Sequence, residues 1–108
     1  MTAEEFRNFA LSLPGAVESA HGDHPDFRAG GKVFASLGYP DNDFGMVKLT
    51  LEQQAAFIEK QPDAFEPCKG AWGKRGATSV HLAWVTGSVL KDALADAFKN
   101  VTARKVRA

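Results

Sequence analysis

Residues 26–49 read DFRAGGKVFASLGYPDNDFGMVKL, in which three short runs of strand-forming residues alternate with two tight turns. The first turn is Gly30-Gly31, and two glycines supply the positive φ angles that a two-residue hairpin needs. The second is Pro40-Asp41-Asn42-Asp43, a cluster of turn-forming residues. Because runs joined this closely pair antiparallel, the stretch predicts the centre of an antiparallel sheet.

Helices are predicted on both sides of this stretch. Two residue pairs have the spacing of a capping box, in which the side chains satisfy free N–H groups at a helix start: Thr2 with Glu5, and Thr50 with Gln53. On the second helix, a narrow apolar stripe of Leu51, Ala55 and Ile58 is expected to face the sheet. A longer stripe between residues 88 and 101 predicts the last helix.

Residues 78–85 alternate between two kinds of side chain, as a half-buried strand does. The alternation places Trp84 in the core with Val80 and Leu82. It places His81 on the opposite face. We therefore expect this strand to have one core face and one free face.

The predicted elements follow the order α-β-β-β-α-β-β-α, with residues 17–20 as a candidate extra strand. Residues 64–69 contain Pro67, which restricts that strand to a sheet edge. This order favours an α+β fold of two layers, with an antiparallel sheet and the helices on one face. We expect one domain over residues 1–108, in which residues 102–108 form a basic, disordered tail.

The composition is that of an ordinary globular protein: 108 residues, of which 44% are hydrophobic and 24% are charged. The acidic start MTAEEF lacks the basic and apolar segments of a signal peptide, and no apolar run reaches the length of a membrane span. The single cysteine, Cys68, has no intramolecular disulfide partner. We therefore expect a cytoplasmic protein without membrane contact.

The formal net charge of +0 hides an uneven distribution along the chain. Residues 1–66 hold eleven acidic and five basic residues, a balance of −6, whereas residues 67–108 hold two acidic and eight basic residues, a balance of +6. Such asymmetry indicates contact with a polyanion. The alternative is that the two halves neutralise each other across the fold.

No residue pattern in the sequence specifies catalysis. The one close cluster of possible metal ligands is His21, Asp23 and His24, and a third histidine would have to be His81, which is distant in the sequence. Cys68 has no histidine nearby in the sequence to activate it, and Gly30-Gly31-Lys32 lacks the spacing of a phosphate-binding loop. We therefore predict no enzyme activity, no metal and no cofactor, and keep a small-molecule site around the histidines as a third hypothesis.

The sheet face opposite the helices is expected to be an open surface. Its predicted side chains combine cations, hydroxyls and aromatic rings: Arg28, Phe34, Ser36, Met46, Lys48, Ser79 and His81. Cations suit phosphates and rings suit stacked bases, so this composition favours nucleic-acid contact, although it also fits a plain solvated face. The same alternation turns Val33 toward the helices, and a register shift of one residue would exchange the two faces.

The segment Trp72-Gly73-Lys74-Arg75-Gly76 is predicted to be a loop in the basic part of the chain. In a functional interpretation, Lys74 and Arg75 grip a phosphate while the glycines let its backbone approach closely. In a structural interpretation, Trp72 packs beneath a tight hairpin and the two cations are solvated.

Short motifs are distributed along nearly the whole chain. They are Leu13-Pro14-Gly15, His24-Pro25-x-Phe27-Arg28, Gly31-Lys32-x-Phe34-Ala35, Lys48-Leu49 before Glu52-Gln53, Pro62-Asp63-x-Phe65, and Trp72-Gly73-Lys74-x-Gly76-x-Thr78. In order and spacing the chain resembles the YjbR-like (MmcQ/YjbR) family, although Ala77 stands where that family often carries a second tryptophan. The resemblance implies an α+β fold and DNA binding by a double-wing arrangement of hairpins around a concave sheet, and it supplies no catalytic residues.

The residues and the resemblance together predict a non-enzymatic DNA-binding protein of low sequence specificity. The predicted binding residues are four cations for phosphates and three rings for stacking or hydrogen bonding: Arg28, Lys48, Lys74, Arg75, Phe34, His81 and Trp72. The alternative is a protein-interaction or dimerisation module that uses the open face or an edge strand near Pro67.

Overall fold

The computed structural model describes residues 1–102, apart from the side chain of His21, so the predicted basic tail lies almost wholly outside the described residues. The elements in chain order are α1 (Ala3–Leu11), β1 (Val17–His21), β2 (His24–Ala29), β3 (Lys32–Leu37), β4 (Phe44–Lys48), α2 (Leu51–Lys60), β5 (Phe65–Pro67), α3 (Ala71–Lys74), β6 (Ala77–His81) and α4 (Gly87–Thr102). The predicted order is confirmed, with β1 as the extra strand and α3 as a single helical turn inside the predicted loop.

The six strands form one antiparallel sheet in the order β1-β2-β3-β4-β6-β5. Three helices pack on one face of this sheet, each through a pair of phenylalanine rings: Phe6 of α1 with Phe27, Phe98 of α4 with Phe34, and Phe57 of α2 with Phe65. The two-layer α+β fold predicted from the sequence is therefore confirmed. These three helices leave the opposite sheet face uncovered, although its central side chains, Asp26, Met46 and Ser79, are buried.

Both predicted capping boxes are present at the starts of α1 and α2. The apolar stripe predicted on α2 is wrong for Leu51 and Ala55, which are exposed, whereas Ile58 packs against the core. The helix instead buries Gln54 and Phe57. A buried amide is tolerated when its hydrogen bonds are replaced inside the protein. The face of α2 that is buried is therefore determined by hydrogen bonding as well as by hydrophobicity.

A β-bulge in β3 reverses the predicted direction of two side chains. Phe27 pairs with Ala35, but the next residue of β2, Arg28, pairs with Val33, so Phe34 is an extra residue. Phe34 consequently lies on the helix side with Ala35, where it is 0% exposed and its ring contacts Phe98. The predictions that Phe34 faces outward and that Val33 faces the helices are both wrong, because one extra residue inverts the alternation.

The strand alternation predicted through residue 85 stops early. β6 ends at His81, after which the N–H groups of Trp84 and Val85 donate to the His81 carbonyl in a turn. Val80 and Leu82 are buried as predicted, whereas Trp84 is 62% exposed. The prediction that Trp84 belongs to the core is therefore wrong.

Candidate functional site

The open sheet face has two chemically different ends along strands β4 and β6. Lys48 pairs with Ala77 at one end, and Phe44 pairs with His81 at the other. At a rise of about 3.4 Å per residue, these ends lie roughly 13 Å apart. We call Lys48, Trp72, Lys74 and Arg75 the basic end, and Phe44, His81 and Trp84 the aromatic end.

Trp72 is a surface residue of the basic end. It lies on the short helix α3 and is 63% exposed, so the interpretation that it packs beneath a hairpin is wrong. The ammonium nitrogen of Lys48 lies 5.8 Å from the centroid of the Trp72 ring, within cation–π range. An indole and a strand cation are thereby held together on an accessible surface.

A buried glutamine fixes the backbone of the basic end. The Gln54 Nε2 group donates to the carbonyls of Gly73 and Ala77 and to the Thr78 hydroxyl, each at 3.1 Å. The Thr78 hydroxyl in turn donates to the Gly76 carbonyl at 2.8 Å. Because a buried amide group is stable only when it is hydrogen-bonded, these bonds tie α2, α3 and β6 into one unit.

The two glycines of the basic segment allow close packing within the chain itself. A Cβ atom at Gly73 would lie 1.7 Å from the Cys68 carbonyl oxygen, and one at Gly76 would lie 1.9 Å from the Leu49 carbonyl oxygen. Gly76 also has a φ of +111°, which other residues rarely adopt. These contacts account for both glycines without a ligand, so the glycines position Lys74 and Arg75 rather than admit a phosphate.

Lys48 and Arg75 line one shallow groove of about 590 Å³. Its remaining walls are Leu49, Thr50, Leu51, Glu52, Asn100 and Val101. Asn100 Nδ2 donates to the Lys48 carbonyl at 3.0 Å and to Gln53 Oε1 at 2.7 Å, which joins α4 to the groove. The ion pairs among residues 1–102 involve Arg7 and Arg28, so Lys48, Lys74 and Arg75 have no carboxylate partner within that part of the chain.

Arg28, by contrast, is bound to a carboxylate of its own strand. Its Nε and Nη2 atoms donate to the two oxygens of Asp26 at 3.0 and 3.1 Å, and Asp26 is only 3% exposed. The hydrogen bond to Asp26 is the main cause of a raised Arg28 pKa, followed by charge attraction. The structure thus joins Arg28 to a buried acid, and strand β3 lies between its strand and β4, which carries Lys48 of the basic end.

The aromatic end surrounds His81, which lies on the open face as predicted. The ring centroids of Phe44 and Trp84 lie 4.7 and 6.1 Å from that of His81. The His81 Nδ1 atom is buried and has no hydrogen-bond partner among the described residues. Asp63 and Glu66 line a cavity of about 140 Å³ beside His81, so the charge here is opposite to that of the basic end.

Among the described residues, no metal site forms around the candidate histidines. His24 stacks edge-on against Tyr39 at 6.2 Å, and the His21 side chain lies outside the described part of the chain. No three His, Cys, Asp or Glu side chains in the described residues are close enough together to hold a metal ion. No helix within residues 1–102 combines the length and apolar content needed to cross a bilayer.

Cys68 lies beside the basic end with its sulfur 3.4 Å from the Ser79 hydroxyl. Burial raises the pKa of the Cys68 thiol, and the charge of Glu66 raises it further against the lowering effect of Ser79. The neutral thiol therefore prevails at neutral pH. This environment is the opposite of the one that activates a nucleophilic cysteine.

Gln54 is the positioning residue that the sequence analysis missed. The available signal was Phe57, the largest apolar residue of α2, which the predicted stripe left out. A stripe centred on Phe57 places Gln54, three residues earlier, on the buried face. The acceptors that make its burial favourable lie on α3 and β6, nineteen to twenty-four residues away in sequence.

Comparison with known proteins agrees with this fold. The family model described as YjbR matches residues 11–100. The crystal structure of Deinococcus radiodurans protein DR2400, which carries a DUF419 domain, matches with a TM-score of 0.79 at 19% sequence identity, covering 95% of this chain and 80% of that chain. At that identity the likeness shows a shared fold, and no curated protein matches the chain.

Proposed function

This chain belongs to the YjbR family, and from that premise we propose that it is a non-enzymatic DNA-binding domain of low sequence specificity whose contact surface is the basic end. The proposal is narrower than the one drawn from the sequence, which used the whole open face. Three cations and one indole carry it: Lys48, Lys74, Arg75 and Trp72.

The observation that supports the proposal is the exposed Trp72 ring beside the Lys48 ammonium group, next to a groove that Lys48 shares with Arg75. A nucleic acid offers a phosphate and a flat base within one nucleotide, so it can satisfy a cation and an indole together. Because Lys48, Lys74 and Arg75 have no carboxylate partner within residues 1–102, binding a phosphate would break no ion pair there.

Low specificity follows from the kinds of side chain at the basic end. Base sequence is read by side chains that pair with a base edge in a fixed pattern, chiefly Arg with guanine and Asn or Gln with adenine. In this proposal Arg75 contacts a phosphate instead of a base edge. The amide that lines the groove, Asn100, already donates to the Lys48 carbonyl and to Gln53 Oε1. Lysine and indole groups instead recognise phosphates and ring faces that all nucleotides share.

Three of the seven predicted binding residues have no DNA contact in this proposal. Phe34 is in the core, and Arg28 is paired with buried Asp26. His81 lies beside Asp63 and Glu66, whose negative charges would repel phosphates. The predicted cytoplasmic location stays a prediction.

The test is fluorescence anisotropy with labelled single-stranded and duplex DNA at several salt concentrations. We expect log K to fall with log salt by about 0.7 to 0.9 per phosphate neutralised. The double reversal Lys74→Glu and Arg75→Glu should weaken binding. It should also make the fall of log K with log salt less steep, by the amount expected for about two neutralised phosphates. The matched control, Lys60→Glu with Lys91→Glu, makes the same change in net charge at positions outside the basic end and should weaken binding less.

Two results would reject the proposal. The first is an absence of binding by the unaltered chain at low salt. The second is an equal loss of affinity in the two double reversals, which would mean that net charge alone governs the association.

A further inference from the structure

The two edge strands of the sheet differ in how well they are protected against pairing. β5 is three residues long and contains Glu66 and Pro67, features that blunt a sheet edge. β1 is five residues long and contains no proline or lysine. Residues 17–20 are all exposed, and Val17 is 56% exposed. β1 is therefore the edge that can accept another strand.

Glu18, the one carboxylate of β1, is paired with a cation of the same molecule. Its carboxylate accepts a hydrogen bond from Arg7 Nε at 2.9 Å, and this bond is the main cause of a raised Arg7 pKa. Arg7 also contacts Glu4 at 2.9 Å, so these side chains form a small network with α1. A free charge on an edge strand discourages pairing with another strand, but the charge of Glu18 is already balanced by Arg7 of the same molecule.

The turn between β1 and β2 decides which backbone groups of β1 point away from the sheet. Gly22 and Asp23 form a two-residue turn with a Gly22 φ of +63°, and His21 pairs with His24 across it. The residues that close such a turn form a hydrogen-bonded pair, and pairs then alternate along the ladder. The N–H and C=O groups of Glu18 and Ala20 therefore point outward.

We propose that β1 pairs antiparallel with β1 of a second copy of this chain, about a two-fold axis at Ser19. In that register, Glu18 faces Ala20 of the second copy and each such pair exchanges two backbone hydrogen bonds. Ser19 faces Ser19 of the second copy in a non-hydrogen-bonded pair. No two like charges face each other, because the partner of Glu18 is an alanine.

A second copy fits this edge because the strand is complementary to itself. The same two residues supply all the outward donors and acceptors, which is the requirement for an isologous interface. The two-fold axis is perpendicular to the sheet, so both open faces lie on the same side of a twelve-stranded sheet built from two six-stranded ones. If the basic ends bind DNA as proposed above, the dimer presents two of them to one strand.

Cysteine trapping tests the register directly. In a Cys68→Ser background, Ser19→Cys should give a covalent dimer under mild oxidation, because residues in a non-hydrogen-bonded pair have Cα atoms about 4.5 Å apart, within disulfide range. The matched control Ala20→Cys faces Glu18 instead of itself and should remain mostly monomeric. Equal cross-linking of the two variants would overturn the proposal.

Sedimentation velocity from about 1 μM to about 1 mM provides a second measurement. We expect the average mass of the unaltered chain to rise toward that of a dimer. Ala20→Pro removes an outward N–H without removing a bond to β2, so it should stay at the monomer mass with an unchanged circular dichroism spectrum. A monomer at all concentrations, or a variant that dimerises like the unaltered chain, would overturn the proposal.

Binding of one short oligonucleotide should be unchanged in Ala20→Pro, which separates this proposal from DNA binding.

Discussion

The two exposed tryptophans lie at opposite ends of one sheet face, with nearly equal exposures of 63% for Trp72 and 62% for Trp84. Trp72 stands beside the ammonium group of Lys48, whereas Trp84 stands beside His81 in a region lined by Asp63 and Glu66. Exposure alone would treat them as equivalent. The charges around each ring make one end suited to a polyanion and the other unsuited to it.

The two ends also differ in how firmly the backbone is fixed. The basic end depends on a buried amide and on two glycines that contact neighbouring carbonyls. At the aromatic end, the Gln61 side chain bonds Thr86 in an exposed position, and the His81 Nδ1 atom has no partner among the described residues. Substitutions should therefore destabilise the basic end more than the aromatic end.

The largest difference is expected between two glycine substitutions. Gly76→Ala puts a Cβ atom against the Leu49 carbonyl at a φ of +111°, so it should lower the free energy of unfolding by about 3 to 5 kcal/mol. Gly87→Ala, near the aromatic end, makes only ordinary contacts at 3.8 Å or more and should cause no loss. Urea unfolding followed by tryptophan fluorescence measures both, and similar values would contradict the comparison.

Two glutamines provide the next test. Gln54→Leu removes the side-chain bonds to the Gly73 and Ala77 carbonyls and to the Thr78 hydroxyl, although the two carbonyls keep the N–H groups of Gly76 and Cys68 as donors. It should lower the free energy of unfolding by about 1 to 2 kcal/mol. Gln61→Leu removes two exposed hydrogen bonds to Thr86 and should lower it by less than about 1 kcal/mol. The expectation fails if the order of the two variants is reversed.

Alanine at each tryptophan separates the two ends by function. Trp72→Ala should weaken DNA binding by about 1 to 2 kcal/mol, because stacking on an aromatic ring contributes about that much per base. Trp84→Ala should leave the affinity unchanged, since its surroundings repel phosphates. Anisotropy titrations at one salt concentration compare the two variants. A larger loss of affinity for Trp84→Ala would mean that DNA contacts the aromatic end, against the proposal.

The smallest effect concerns the unpartnered imidazole. His81→Phe removes a buried nitrogen that has no partner and keeps a ring against Phe44, so it should raise the free energy of unfolding by up to about 1 kcal/mol. Ser79→Ala on the same strand removes a hydroxyl bonded to Cys68 and should lower it slightly. If His81→Phe lowers the free energy of unfolding, the imidazole makes a stabilising hydrogen bond, which would contradict this prediction.

Local patterns in the sequence predicted the parts of the fold that depend on neighbouring residues. The capping pairs Thr2 with Glu5 and Thr50 with Gln53 were predicted because their partners lie three residues apart. The direction of Phe34 was not, because alternation assumes an unbroken strand and the bulge is specified by pairing with β2. Trp84 was misplaced because the end of a strand is a weaker signal than its interior.

The sequence was sufficient to predict which kinds of residue form the candidate site, but only part of how they are placed in space. Lys48, Trp72 and Arg75 could be selected as accessible cations and an aromatic ring from their residue types and the charge asymmetry. Arg28 was selected on the same grounds, yet its charge is bound to Asp26, two residues before it. The roles of Gln54 and the glycines depend on contacts between distant parts of the chain, which no local pattern records.

The bulge at Phe34 also affects how relatives of this chain should be aligned. A relative whose third strand has no extra residue would contain one position fewer there, so a gap belongs at position 34. If the gap is placed elsewhere in the strand, alignment columns facing the core in one protein are matched with columns facing solvent in the other. Variation at core positions would then be mistaken for variation on the open face, and the apparent surface profile of the family would be wrong along that strand.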